Sequence, residues 1–85
     1  MDRESRVKGL LDRWDALKND DLQAQGNFRK YAQVWAEQIA ILSELSFLKC
    51  EHIPGEQEPV VVLWAQKGKR LTGLRQMISE SGSRY

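Results

Sequence analysis

The 85 residues include a single cysteine, Cys50, and only two prolines, Pro54 and Pro59. One thiol closes no internal disulfide and supplies one thiolate at most, so a disulfide framework and a thiolate zinc site are both excluded, and a reducing compartment is expected. Apolar runs are short as well. None approaches the roughly 20 residues that span a bilayer, and the mixed-charge start, Met1-Asp2-Arg3-Glu4-Ser5-Arg6, leads into no stretch of signal-peptide length. The expectation is a cytoplasmic chain with no membrane partner.

An excess of one charge is also missing. Thirteen Lys and Arg stand against 12 Asp and Glu, a net charge of +1, which gives no whole-molecule field to draw the chain to nucleic acid. The only cluster of one sign is Lys67, Lys69, Arg70 and Arg75.

What the sequence does have is a long stretch, 27–53, free of Gly and Pro and rich in Phe28, Tyr31, Val34, Trp35, Ile39, Ile41, Leu42, Leu45, Phe47 and Leu48. These recur at three- and four-residue steps, the period of a helix. The spacing predicts a helix over about 27–52, capped by Asn27 and closed before Pro54, which disfavours helical geometry in the residue ahead of it. Phe28, Tyr31, Trp35, Leu42 and Leu45 fall on one stripe. Phe47, Leu48 and Ile41 lie partly opposite it, so the helix is apolar nearly all round.

Val7, Leu10, Leu11, Trp14 and Leu17 make a first amphipathic helix over about 2–18. Gly9 inside it costs about 1 kcal/mol relative to Ala and suggests a close helix crossing. Asn19-Asp20-Asp21 offers a stop, because short polar side chains compete for backbone hydrogen bonds, and 19–27 is read as a turn. One seven-residue register nevertheless runs from Val7 to Leu45 across it and permits an unbroken coiled-coil helix. A hairpin is preferred, since it brings Trp14 towards Trp35 and keeps Asp21 out of a seam.

After a Pro-bracketed connector over 53–59, Val60-Val61-Val62-Leu63-Trp64-Ala65 suits a strand by its β-branching. No other segment could pair with it. Pro59 suits a helix start, so a short helix to about Lys67, relieved at Gly68, and a second stretch from Lys69 to Ser79 are expected, with 80–85 a frayed tail. The fold class that follows is all-α: one domain of three to four helices built on a long antiparallel hairpin, with dimerisation a further source of stability for so small a core.

Chemistry-bearing constellations are few. Cys50 and His52 are two apart, on different sides of a helix, and match no metal-ligand spacing. Glu56 and Glu58 sit in a connector as solvated loop charges rather than an acid–base pair. Gly68-Lys69-Arg70 lacks the upstream glycine and the Ser/Thr of a phosphate loop. No catalytic residue, metal or cofactor is expected.

The rings are more telling: Trp14, Trp35, Trp64, Phe28, Tyr31 and Phe47 are many for a small core, and large rings anchor protein interfaces. The expected function is non-catalytic binding of another protein, as an adaptor, inhibitor, chaperone or small subunit, through Trp35, Ile41, Phe47, Leu48 and Trp64. The alternative is a nucleic-acid-binding regulator using Lys67, Lys69, Arg70 and Arg75 on phosphates.

Overall fold

The computed structural model describes residues 2–82 and contains three helices, α1 (Arg3–Ala24), α2 (Phe28–Phe47) and α3 (Val60–Gly82). No strand occurs among the described residues. The all-α expectation is met, and the Val60 to Ala65 run is helical.

Asp2 starts α1 by accepting from the Ser5 amide at 2.7 Å. Asn27 starts α2 by accepting from the Lys30 amide at 3.1 Å, the cap its position suggested. At the head of α3, the carbonyl of Pro59 accepts from Val62 and Leu63, and the Val60 amide donates to the Glu51 carbonyl at 2.8 Å. The Val60 and Val62 amides, two of those the first turn would leave open, are thereby used.

Three expected boundaries are corrected. Asn19-Asp20-Asp21 does not stop α1, which runs on to Ala24. Burying Leu17 and Ala24 on one face and pairing Asp21 with Trp35 outweighs a weak local preference for caps. The chain reverses instead at Gln25 and Gly26, whose φ angles of 46° and 85° lie in the left-handed region. α2 ends at Phe47 rather than near His52: the Cys50 amide donates to the Leu45 carbonyl and the Lys49 amide to that of Ser46. This is a Schellman closure with Lys49, at φ 64°, in the place glycine usually takes. Ending the helix there lets Ile53 fold back into the core.

Gly68 does not divide the C-terminal segment, since α3 continues through both Gly68 and Gly73. Nor does Gly9 mark a close crossing, because a Cβ added at Gly9, Gly68 or Gly73 would meet nothing within 4 Å. Of the expected tail, 80–82 belong to α3 and 83–85 lie outside the described residues.

α2 lies between its neighbours. α1 and α3 each pack on it and do not approach each other along their backbones. α1 runs opposite to α2: Arg3 Nε donates to the Leu48 carbonyl at 2.7 Å, Arg6 pairs with Glu44, and Arg13 with Glu37 at 2.6 Å. The core joins Leu10, Trp14 and Leu17 of α1 to Val34, Ile41, Leu42 and Leu45 of α2, with Ile53 and Val60 closing one end. The buried stripe of α2 is therefore turned from the expected one. Val34, Gln38, Ile41, Leu42 and Leu45 are buried, whereas Phe28 is exposed and Tyr31 and Trp35 sit at the edge.

Candidate interaction surface

The five residues expected to bind a partner are divided by the fold. Ile41 is buried in the core, and Leu48 is half-buried against it. Trp35 is held within the chain: its Nε1 donates to Asp21 Oδ1 at 2.8 Å, its ring stacks on Tyr31 at 5.5 Å, and the Lys67 ammonium lies 5.4 Å from its ring centre. Phe47 and Trp64 are the two of the five that are exposed, at 82% and 46%, while Trp35 and Leu48 are half-buried.

Trp64 lines a depression, and Phe47 adjoins its lining through the chain. Ser43, Ser46, Val61 and Trp64 line a shallow depression of about 290 Å³ where α2 meets the start of α3. Phe47 follows Ser46 and lies one helical turn from Ser43, on the same side of α2. Val61, 62% exposed, faces it from α3. It belongs with the pair, and the sequence pattern missed it because a β-branched run reads as buried. No charged residue lines this depression.

Charge gathers beside it. A second depression of about 400 Å³ shares Ser46 and Val61 and adds Lys49, Cys50, Glu51, His52 and Pro59. Cys50 Sγ donates to the carbonyl of His52 at 3.4 Å, a contact with the backbone and not with the imidazole. No group of three or more His, Cys, Asp or Glu that could hold a metal ion occurs among the described residues. Among the described residues no helix is long and apolar enough to cross a membrane. The surface is thus an uncharged aromatic and aliphatic centre with Lys49, Glu51 and His52 along one side.

The four basic residues do not make one stripe. At about 100° of helix per residue, Lys67, Lys69, Arg70 and Arg75 spread over most of the circumference of α3. Lys67 turns inward over Trp35, and burial lowers its pKa, with the nearby Asp21 carboxylate opposing that shift. Lys69, Arg70 and Arg75 are exposed.

The chain matches no protein-family model, no curated protein and no solved structure.

Proposed function

We propose that the chain is a non-catalytic protein-binding module, acting as an adaptor, inhibitor, chaperone or small subunit, and that it takes an apolar segment of another protein on Phe47, Val61 and Trp64. One observation carries this reading: exposed Val61 and Trp64 line an uncharged depression, exposed Phe47 follows its Ser46, and charged residues lie to one side. That is the anatomy of a protein interface, an apolar centre within a polar rim. A solvated helix face would place charge at those positions instead.

Surface area supports it. The chain exposes 6222 Å², whereas a compact monomer of its mass exposes about 5,200 Å². An interface of standard size, about 800 Å² per partner, removes most of that excess. A second copy of the chain is included among the partners, and the lone free thiol suits the cytoplasmic location that belongs to this proposal.

The test is paired. Phe47→Asp and Trp64→Asp are expected to keep the circular dichroism and urea midpoint of the wild type. Both should abolish the concentration-dependent mass seen by light scattering, or capture of a partner by the tagged chain from its host's extract. Lys69→Glu with Arg70→Glu should leave either association in place. Unfolding of the Phe47 and Trp64 variants, or association that survives them, overturns the proposal.

A further inference from the structure

A second seven-residue repeat lies on the outer side of α2. Arg29, Gln33, Ala36, Ala40, Ser43 and Phe47 follow one another at steps of four, three, four, three and four, the spacing at which a straight seam of one helix meets another. All are exposed except Ala36, which is half-buried. At about 100° per residue this seam stands on the far side of α2 from Val34, Gln38, Ile41 and Leu45, so neither α1 nor α3 covers it. It is about 27 Å long, and from Gln33 to Phe47 its own residues carry no charge.

The seam runs into the proposed binding surface. Phe47 closes it, and Ser43 belongs both to the seam and to the depression that Val61 and Trp64 line. Ala36 and Ala40 at its middle leave room for another helix axis at about 8 Å. Its two ends differ in charge. Arg29 and Lys30 stand exposed near the start of α2 with no ion pair to any described residue. Towards the other end come the Phe47 ring and the Glu44 carboxylate, of which Arg6 occupies only Oε1.

We infer that a second copy of this chain docks on the seam, α2 antiparallel to α2 about a two-fold axis at the level of Gln38. The inference rests on the binding role proposed above and names the partner. In that register Ala36 meets Ala40 of the second copy, Gln33 meets its Ser43, and Arg29 lies over its Phe47 ring, a cation on an aromatic face. On the flank next to α1, Lys30 reaches the open oxygen of the second copy's Glu44, while Glu37 faces its own counterpart with each already paired to Arg13 at 2.6 Å. On the flank next to α3, half-buried Ile39 meets Ile39. A parallel pairing would set Arg29 against Arg29 and give up both attractions. Charge therefore selects the antiparallel one, in which every contact is made twice and assembly closes at two chains.

Disulfide trapping reads the register directly. In a Cys50→Ser background, a chain carrying both Gln33→Cys and Ser43→Cys is expected to form a covalent dimer under mild oxidation. Ser43→Cys alone is not, because antiparallel packing holds those two positions about 15 Å apart along the helix axis. Sedimentation equilibrium of the purified wild type is expected to show a dimer that Ala40→Glu and Arg29→Glu each weaken at least tenfold. Both positions are exposed and glutamate is a good helix former, so circular dichroism should be unchanged. A cross-link through Ser43→Cys alone, none through the pair, or a dimer indifferent to Ala40→Glu overturns the inference. So does a purified chain that stays monomeric at millimolar concentration; the Phe47 surface then belongs to another protein, whose capture by the wild type and not by Phe47→Asp keeps the binding role standing.

Discussion

The indole of Trp14 and the carboxylate of Glu56 meet across 42 residues of sequence, Nε1 to Oε1 at 3.2 Å, and Lys18 Nζ donates to the same oxygen at 2.8 Å. The connector between α2 and α3 is thereby fastened to α1, which has no backbone contact with α3. The Lys18 hydrogen bond chiefly, with Trp14 adding to it, lowers the Glu56 pKa from its ordinary 4.5.

The pH dependence follows from that depression. The folded chain holds fewer protons on Glu56 than the unfolded chain does, so this contribution to stability is complete above pH 4.5 and is lost as pH falls through the lowered folded value. Urea unfolding from pH 6 downward should show a loss that Glu56→Gln diminishes, the remainder including the Asp2 cap, whose pKa is lowered by its hydrogen bonds from Ser5. Trp14→Phe should cost about 1–3 kcal/mol at neutral pH.

Gly9, Gly68 and Gly73 are helical glycines with open space where a side chain would stand. Each alanine substitution is expected to stabilise by about 1 kcal/mol, and the three should add because they lie apart. Calorimetry should show a rise in Tm of about 4–8 °C per kcal/mol in a domain of this size. A fall at any of them would mean that the added methyl meets something in solution.

Lys49 closes α2 in a left-handed conformation that costs a non-glycine residue about 1–2 kcal/mol. Lys49→Gly removes that cost and adds chain entropy to the unfolded state, so a net gain of up to about 1 kcal/mol is expected. Lys49→Val should lose at least as much, which chemical denaturation of the two variants will show.

Gln38→Leu keeps the volume of the side chain and removes the buried acceptor. The expected outcome is a gain of about 1 kcal/mol, read as a higher urea midpoint at unchanged slope. A loss would show that the amide finds a partner in solution.

Much of the fold was legible because local and global signals agreed. Asn27 and Pro59 stand at the helix starts where their backbone preferences place them, and Leu10, Trp14 and Leu17 repeat at the spacing of a buried face. The signals parted where tertiary contacts outbid a weak preference. Asp21 is a poor helix former by itself, but inside α1 it accepts the Trp35 indole. Lys49 carries no mark of a helix end, and its left-handed turn is set by the return of Ile53 to the core.

The site was legible only in part, for a geometric reason. A helix apolar on all sides does not reveal which side its neighbours take. Two helices cover Val34, Ile41 and Leu45 and leave Phe47 bare, and the sequence pattern alone places Phe47 and Ile41 on equal terms. Gln38 falls on the seven-residue register that runs from Val7 to Leu45, but a glutamine in a helix reads as a solvent-facing residue until the helices on either side of it are in place.

That α2 alone touches both other helices has a consequence for the order in which the molecule opens. α1 or α3 can detach while the remaining pair stays closed, but α2 cannot be freed without parting both. Its backbone amides between Gln38 and Leu45 are therefore expected to exchange with deuterium only on global unfolding, and those of α1 and α3 by an additional, local route. Protection should rise from the outer helices to the inner one, with the slowest amides marking the full free energy of the chain.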